Sequence, residues 1–388
     1  MSRLLYFVAG EPSGDRLGAA LMDALRAREP DIRFTGLGCQ RMQQAGLTPL
    51  FDILDLNVMG LVEVLPRLPV LLRRIAQTRA DVLAKRPDAL ITIDSPSFGL
   101  RVAEKVRAAA PSIRTIHYVA PSVWAWRPKR AAHMARFVDH VLALLPFEPP
   151  YMERAGMTCD FVGHPIAARQ TPDAATMEKM RGIWGMRPED PLLLVAPGSR
   201  RGEVARLMPV FKQIVARLAT RHPGLRPIIP MAETVLGEVQ QAAGDMAVDP
   251  VLIHPSDGEE LKQIAFAAAD AALIASGTIV LEMAAARTPM VSCYRTNALT
   301  AAIVRRLIRV DTANLVNLVS DTQAVPEFLQ EGLSVDAVTH ALDKLLLPGP
   351  ARQAQLDAFG MVMGALGQNG QGPADRAAQS VLRQLPQA

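Results

Sequence analysis

The most informative stretch of the chain is LLLVAPGSRRGE, residues 192–203. Its aliphatic run predicts a buried strand, which a proline-glycine-serine turn at 197–199 brings to an end. Arg200 and Arg201 follow at once, and Glu203 suits the first turn of a helix. Because an arginine fork and the free N–H groups of a helix start both match phosphate geometry, the stretch predicts an anion site.

Short apolar runs alternate with amphipathic stretches on both sides of this segment. The expected strands are 4–10, 33–38, 89–94, 114–120, 140–145, 159–163, 192–197, 226–231, 251–255, 271–276 and 290–295. Helical patterns fill the gaps, and Gly and Pro mark the borders, as in parallel sheets that are covered by helices. We therefore expect an α/β protein of two doubly wound, Rossmann-like domains that face a cleft, followed by a helical C-terminal segment.

The division into two domains follows from length and from one polar stretch. At 388 residues the chain exceeds the size at which a single core usually stops growing. The proline-marked segment 164–175 predicts the border, with an N-terminal domain at 1–168 and a second domain at 169–345. The strand signal vanishes after about residue 325. Helices in 346–388 would then return to the first domain or pack on a partner subunit.

Composition excludes several classes of protein. The chain is 49% hydrophobic but has no uninterrupted apolar run of about 18 residues, which argues against a spanning helix. Its first apolar run is too short for a signal peptide, so a cytoplasmic location is expected. Three distant cysteines predict neither disulfides nor a metal site. A net charge of +4 without lysine blocks argues against nucleic acid and suits an anionic membrane or a phosphorylated substrate.

A second anion site is expected at SGTIVLE, residues 276–282. A strand again ends in a small polar turn, and a helix begins whose free N–H groups can bind phosphate oxygens. Glu282 lies one turn further along the same face and could bind vicinal ribose hydroxyls. The alternative is a helix cap by Ser276 or Thr278, just as the arginines at 200–201 could simply pair with Glu203. Taken together, the two turns predict a nucleotide diphosphate in the C-terminal domain. The predicted contacts are Gly198, Ser199, Arg200, Ser276, Gly277, Thr278 and Glu282.

The first strand runs into a turn of opposite chemistry, GEPSGD at 10–15. It matches neither a dinucleotide-binding fingerprint nor a Walker loop, and it carries two carboxylates. Carboxylates repel phosphate and accept hydrogen bonds from hydroxyls, so this turn predicts the sugar side of a site. Capping of a helix by Ser13 or Asp15 is the alternative. The candidates are Glu11, Ser13, Gly14 and Asp15.

Asp94 is the first polar residue after the apolar run ALITI and is the candidate general base for an acceptor hydroxyl. Glu11 is a second catalytic candidate. His164, in VGHP near the domain border, is equally consistent with a hinge and with a ligand contact. No metal-binding motif is present, so neither metal nor cofactor is expected. Arginine and helix dipoles would then neutralise a leaving diphosphate.

Residues 56–75, LNVMGLVEVLPRLPVLLRRI, form an apolar patch that charges and prolines interrupt. An apolar surface that ends in two arginines predicts contact with a membrane or with acyl chains, although a buried helix pair has similar spacing. The patch residues are Val58, Met59, Leu61, Val62, Leu65 and Leu68.

Several motifs, in order along nearly the whole chain, resemble those of the lipid-A-disaccharide synthase family. They are VAGEPSGD, VMGLVEVL, IDSPSFG, IHYVAPSVWAWRPKR, LLPFE, FVGHP, APGSRRGEV and ASGTIVLEM. The resemblance implies a GT-B-type, inverting, metal-independent glycosyltransferase. It implies transfer of 2,3-diacylglucosamine from UDP-2,3-diacylglucosamine to 2,3-diacylglucosamine 1-phosphate (lipid X). The products would be the β-1,6-linked lipid A disaccharide 1-phosphate and UDP.

The resemblance also implies partners and residue roles. The enzyme would be peripheral on the cytoplasmic face of the inner membrane, and a homodimer is left open. Asp94 would be the base for the acceptor 6-hydroxyl, Glu282 would bind the ribose, and Asn317 would lie near the donor. Trp126 and Arg130, in SVWAWRPKR, would contact the acceptor phosphate or the membrane interface. The chain departs from the common family pattern at Ser97 and Gly99.

Three other functions are the alternatives. Two are enzymes of the same fold, namely another UDP-sugar transferase and a hydrolysing UDP-sugar 2-epimerase. The third is a non-catalytic, membrane-attached protein that binds a nucleotide sugar. Turnover of the two diacylated substrates distinguishes the disaccharide synthase from all three alternatives.

Overall fold

The structure is a computed structural model that describes residues 2–52, 61–95, 97–125, 129–297, 312–368 and 370–386. The side chains of Pro12 and of residues 61–67 are not described. The predicted contacts Val58, Met59 and Trp126 therefore lie outside the described residues, as do the side chains of Leu61, Val62 and Leu65.

The chain divides into two compact units. The first comprises Met1–Ala168 together with Leu366–Ala388, and the second comprises Arg169–Ala365. The second unit thus extends past residue 345, where the sequence placed its end. The reason is that the helix at Pro350–Ala365 packs on helices of the second unit.

The first unit contains a seven-stranded, wholly parallel sheet. Its strands are β1 (Leu4–Ala9), β2 (Arg33–Leu37), β3 (Thr48–Pro49), β4 (Ala89–Ile93), β5 (Arg114–Tyr118), β6 (His140–Ala143) and β7 (Thr158–Phe161). The order across the sheet is β3-β2-β1-β4-β5-β6-β7. The chain therefore reverses its direction of winding between β1 and β4.

Helices connect these strands and cover the sheet. They are α1 (Pro12–Arg28), α2 (Gln40–Gln44), α3 (Leu61–Lys85), α4 (Gly99–Ala109), α5 (Lys129–Met134), α6 (Pro149–Glu153) and a 3-10 turn at Pro165–Ala168. Residues of β1 alternate between two cores. Leu5 and Phe7 belong to the core under α1, whereas Tyr6 and Val8 belong to the core under α4. Full burial of side chains of this size contributes about 1.5–3 kcal/mol each.

The second unit contains a six-stranded parallel sheet of order β10-β9-β8-β11-β12-β13. Its strands are β8 (Leu192–Ala196), β9 (Arg226–Pro230), β10 (Val251–Ile253), β11 (Ala271–Ala275), β12 (Met290–Tyr294) and β13 (Glu327–Leu329). The helices before β12 are α7 (Ala174–Ile183), α8 (Arg201–Arg221), α9 (Leu236–Gly244), α10 (Gly258–Ala268) and α11 (Ile279–Ala286). Those after β12 are α12 (Leu315–Ser320), α13 (Val335–Leu346) and α14 (Pro350–Ala365). Short 3-10 turns lie at Glu233–Val235, Pro255–Asp257 and Gln330–Gly332.

A last helix, α15 (Pro373–Gln384), belongs to the first unit although it ends the described chain. Its buried residues Ala377, Ala378 and Val381 join the core under α1. An uncharged imidazole helps to hold it. His140 Nδ1 lies 2.7 Å from Thr158 Oγ1, and His140 Nε2 lies 2.7 Å from Ser380 Oγ on α15.

The prediction of doubly wound parallel sheets is confirmed, and each expected strand is present. The observed strands end one or two residues before the predicted ends, because the last residues of the predicted strands already lie in the turns. Two strands were missed. β3 is two residues long, and β13 contradicts the expectation that strands stop near residue 325. Both lie at sheet edges, where fewer neighbours impose an apolar pattern.

Helix α3 contains the described part of the predicted apolar patch. It runs without interruption through Pro66 and Pro69, and its side chains are mixed in exposure. Leu68 and Leu72 are exposed, whereas Ile75 is buried. None of the helices among the described residues combines the length and the hydropathy that a membrane span requires.

Candidate functional site

Each sheet has one point where the strand order reverses, and the predicted site residues follow the strands at these two points. In the first unit they are β1 and β4, which lead into Glu11 and Asp94. In the second unit they are β8 and β11, which lead into the turns at 198–200 and 276–278. Open α/β sheets bind ligands at the carboxyl ends of strands at such points.

The second unit has a cavity of about 550 Å³ at the carboxyl ends of its strands. This volume lies within the usual range for small-molecule sites. The predicted donor residues that line it are Gly198, Ser199, Arg200, Ser276, Gly277, Thr278 and Glu282. The structure therefore brings together two turns that are far apart in the sequence.

Other residues also line the cavity, and the sequence did not identify them as candidates. They include Met231, His254, Lys262 and Phe266. Met231 and His254 come directly after β9 and β10, so their position at a strand end could have identified them as candidates from the sequence. Lys262 and Phe266 lie within α10, and nothing in their local sequence distinguishes them from an ordinary helix face.

The turn at 198–200 owes its shape to a glycine and a carboxylate. Gly198 has a φ of +113°, and a Cβ atom there would lie 2.5 Å from Glu203 Oε2. That oxygen accepts the Ser199 N–H at 3.2 Å, and Glu203 Oε1 lies 3.1 Å from Arg200 Nη1. Arg200 pairs with Glu203, as the alternative interpretation had it, yet its side chain is 79% exposed and lines the cavity. Arg201 pairs with Glu238 instead.

The start of α11 offers unused backbone donors. Thr278 is the N-cap residue, and no side chain caps this helix end. The N–H groups of Gly277, Thr278 and Ile279 find no acceptor among the described residues. Because these donors and the helix dipole both favour negative charge, the turn can bind phosphate oxygens.

Glu282 is held between two cations in the cavity wall. Its Oε1 lies 3.0 Å from Arg169 Nη1 and 3.6 Å from Lys262 Nζ. Both cations also pair with Glu259, at 3.2 Å and 3.5 Å. A carboxylate fixed in this way can still accept hydrogen bonds from hydroxyl groups.

Asn317 has a structural role. Its amide oxygen accepts the Val325 N–H at 3.0 Å, and its amide nitrogen donates to the Val325 carbonyl at 2.9 Å. The side chain is 2% exposed. Through these two bonds Asn317 holds the segment before β13, and its contact with the donor stays a prediction.

In the first unit, Asp94 lies on a strained turn at the end of β4. Asp94 and Ser95 have φ values of +49° and +40°. The Asp94 N–H donates to the Tyr118 carbonyl at 2.9 Å, and Ser13 Oγ lies 3.3 Å from Asp94 Oδ2. A Cβ atom on Gly10 would collide with Ser95. The glycine therefore lets the turns after β1 and β4 approach each other.

The two carboxylates of the acidic turn at 10–15 have different roles. Glu11 is the N-cap residue of α1, and its side chain does not cap that helix. Asp15 is 3% exposed and accepts the N–H groups of Arg41 and Met42, at 3.0 Å and 3.2 Å. The predicted sugar contact of Asp15 is thus replaced by a structural role, the capping of α2.

The remaining glycine and serine of this turn lie in the first turn of α1. Gly14 allows close packing there, because a Cβ atom would lie 3.3 Å from the Ile93 carbonyl oxygen. Ser13 reaches Asp94, as described above. Both residues therefore border the candidate base.

The described contacts of His164 and Arg130 give no direct evidence that either side chain binds a ligand. His164 Nδ1 accepts the Ile166 N–H at 3.1 Å and so caps the 3-10 turn that follows. Arg130 is half-buried in α5. Burial and, to a smaller extent, the Arg130 charge lower the pKa of His117 to about 4. His117 lies 2.7 Å from Thr92 Oγ1 inside the sheet.

Sequence reasoning missed Glu148, a buried carboxylate after β6. It is 3% exposed, and burial raises its pKa to about 7. The only signal was its place in LLPFE, a motif that carries the family resemblance but no evident chemistry. A glutamate in such a turn resembles a surface residue until its burial is known.

No cluster of three or more His, Cys, Asp or Glu side chains with suitable geometry occurs in the part of the chain that the structure describes.

Comparison with known proteins adds the family. The family model described as lipid-A-disaccharide synthetase matches residues 5–372. The chain is similar to a lipid-A-disaccharide synthase of Ruegeria pomeroyi, at 50% identity over 387 residues, covering 98% of this chain and 95% of the relative. It is similar to that of Rhodospirillum centenum, at 46% identity over 380 residues, covering 98% and 94%.

Solved structures show the fold. A UDP-GlcNAc 2-epimerase from Neisseria meningitidis, bound to UDP-GlcNAc, has a TM-score of 0.61 at 12% identity and covers 99% of both chains. The calicheamicin glycosyltransferase CalG4 has a TM-score of 0.57 at 16% identity, with 99% of this chain and 98% of that chain covered. The expected GT-B-like architecture is confirmed. The match over nearly the whole length and the identity to these relatives show that the chain belongs to the lipid-A-disaccharide synthetase family of glycosyltransferases.

Proposed function

We propose that the chain transfers 2,3-diacylglucosamine from UDP-2,3-diacylglucosamine to 2,3-diacylglucosamine 1-phosphate, the acceptor called lipid X. The products are the β-1,6-linked disaccharide 1-phosphate and UDP. Membership of the family supplies the reaction type. The observation that carries the donor assignment is the cavity of the second unit, where free N–H groups, Arg200 and Glu282 line one wall.

The donor nucleotide is assigned to this cavity on chemical grounds. The three free N–H groups at 277–279 and the exposed Arg200 match the diphosphate. Glu282, held by Arg169 and Lys262, matches the ribose hydroxyls. A solved structure of the same fold holds UDP-GlcNAc, which supports a UDP-sugar as the donor.

Asp94 is the proposed general base. It takes the proton of the acceptor 6-hydroxyl while the oxygen forms a bond to the anomeric carbon of the donor sugar. The bond from that carbon to the diphosphate oxygen breaks, and UDP leaves with the electron pair. The N–H groups at 277–279 and Arg200 stabilise the negative charge that develops on UDP, which is the role that metal ions have in other transferases. Glu11 remains a second candidate for the base.

Helix α3 is the proposed contact for acyl chains or for the cytoplasmic face of the inner membrane. Leu68 and Leu72 are 36% and 48% exposed, and Arg73 beside them is exposed. Exposed leucines next to an arginine are typical of an interfacial helix that faces anionic lipid.

Supplying both diacylated substrates and analysing the products by mass spectrometry tests the proposal. We expect one disaccharide 1-phosphate and one UDP for each turnover. A parallel incubation with UDP-GlcNAc alone tests the epimerase alternative, which predicts UDP and a 2-epimer without any acceptor. Absence of the disaccharide with a folded, UDP-binding protein would reject the proposed function.

A further inference from the structure

Glu148 closes the turn between β6 and α6 from inside the first unit. Its Oε2 accepts the N–H groups of Leu144 and Leu145, at 3.1 Å and 2.9 Å. The side chain is 3% exposed. Both bonds end on the same oxygen, which leaves Oε1 available to another donor.

Such a donor lies beside the carboxylate. The Trp124 side chain is 9% exposed and packs edge-to-face on Phe147, with ring centroids 5.2 Å apart. Its Nε1 is buried and has no hydrogen-bond partner among the described residues. The indole is nonetheless close enough to Glu148 to lower its pKa, against the larger upward effect of burial. A buried N–H without an acceptor is rare in native proteins, so this donor calls for a partner.

These two side chains lie in the segments that follow the next two strands of the sheet after the one that leads into the candidate base. β4, β5 and β6 are neighbours in the sheet, and Asp94, Trp124 and Glu148 follow them in that order. Backbone bonds tie the three strand ends together, from Asp94 N–H to Tyr118 and from Val119 N–H to Leu142. A change in the conformation of the 119–125 segment therefore acts directly beside Asp94.

We propose that Glu148 is a positioning residue: its carboxylate accepts the Trp124 N–H and so fixes the 121–125 segment, and this segment in turn packs against the acceptor sugar. This inference rests on the proposed role of Asp94 as the base for the acceptor hydroxyl, which brings the acceptor to the strand ends of the first unit. The indole packs on Phe147, the residue next to Glu148, and so lies in the neighbourhood of this carboxylate. Glu148 acts through Trp124 and does not touch the reacting atoms.

Steady-state kinetics of four full-length variants test the proposal. Trp124→Phe keeps the aromatic contact with Phe147 but removes the N–H. Glu148→Gln keeps one oxygen for the N–H groups of Leu144 and Leu145 but replaces the oxygen proposed for Trp124 by an N–H₂ group. We expect either change to raise the KM for the diacylated acceptor about tenfold, as for the loss of one hydrogen bond to a charged group. The double variant should be no worse than the poorer single variant, because both remove the same bond. Glu153→Gln, at an exposed acid in the last position of α6, is the matched control.

A merely structural role predicts a different pattern. It lowers the midpoint of thermal unfolding and leaves the KM of both substrates within about twofold of wild type. That pattern would overturn the proposal. So would equal changes in the KM values for donor and acceptor, or effects of the two substitutions that multiply in the double variant. The turnover rate and the UDP affinity of the wild type, measured in the same experiment, test the proposed function separately. Turnover in the wild type with unaffected variants would reject the role of Glu148 alone.

Discussion

At the scale of single residues, Asp94 depends on a backbone conformation that few side chains adopt. It and Ser95 are consecutive non-glycine residues in the left-handed region. Aspartate tolerates this region better than most residues, but each such residue still costs about 1–2 kcal/mol. Strain of this kind at the carboxyl end of a strand is typical of functional sites. The neighbouring strand end, through the bond to Tyr118, helps to hold the turn.

Replacing Asp94 by asparagine tests its role as a base. Asparagine also accepts the left-handed conformation, so we expect Asp94→Asn to fold normally and to bind UDP with wild-type affinity. The turnover rate should fall by about 10²-fold or more, because the amide cannot take a proton. Rates measured at saturating substrate, with calorimetry of UDP binding, check both expectations. Asp31→Asn, at an exposed aspartate, is the control. A rate within threefold of wild type would remove Asp94 from the mechanism.

At the scale of elements, helix α15 is attached by a polar network as well as by apolar packing. His140 is 1% exposed and lies between Thr158 on β7 and Ser380 on α15. Ser380 in turn donates to Asp160, which also pairs with Arg383. Burial lowers the pKa of His140 to about 4, although the Asp160 charge opposes this.

The depressed pKa of His140 predicts a loss of stability in acid. Between pH 6.5 and about 4 the unfolded chain binds a proton that the folded chain does not, so the free energy of unfolding falls as the pH falls. The loss amounts to about 3 kcal/mol over this range. We expect His140→Asn to be less stable at pH 7 but to lose this part of the pH dependence. Urea unfolding of both proteins from pH 7 to pH 4 measures it, and parallel curves would contradict the prediction.

At the scale of the whole molecule, the first unit is discontinuous in sequence. Its core under α1 includes Ala377, Ala378 and Val381 from the end of the chain, beside Leu5 and Phe7 from the beginning. The intervening residues 169–365 form the second unit. The stability of the first unit therefore depends on residues from both ends of the chain.

Truncation of Val381 tests this dependence. Val381→Ala removes two fully buried methyl groups from α15, and we expect a loss of about 1.5–3 kcal/mol in the first unit. Gln379→Ala, on the exposed face of the same helix, should be neutral within about 0.5 kcal/mol. Calorimetry of the full chain should show a lower unfolding midpoint for Val381→Ala, while UDP affinity stays unchanged. An unchanged midpoint, or weaker UDP binding, would contradict the expectation.

Local sequence was sufficient wherever one physical constraint acts on neighbouring residues. Strands such as β1 and β8 are buried on both faces, so their apolar runs are continuous and easily recognised. The turn at 198–200 needs a glycine for its φ value and places an arginine directly after a strand, and both features are legible in the sequence. The same reasoning identified Asp94 and Glu282 as candidates.

The roles of the other candidate residues depend on long-range contacts. Asp15 and Asp94 look alike as acids after apolar strands, but the first is occupied by the amides of α2, a partner that folding alone brings near. Asn317 is likewise used by Val325, and Glu148 owes its burial and its raised pKa to packing against distant segments. Composition and spacing specify which residues can bind or transfer a proton. Which of them keep a free polar atom depends on hydrogen bonds between residues far apart in the chain, and these exist only in the folded state.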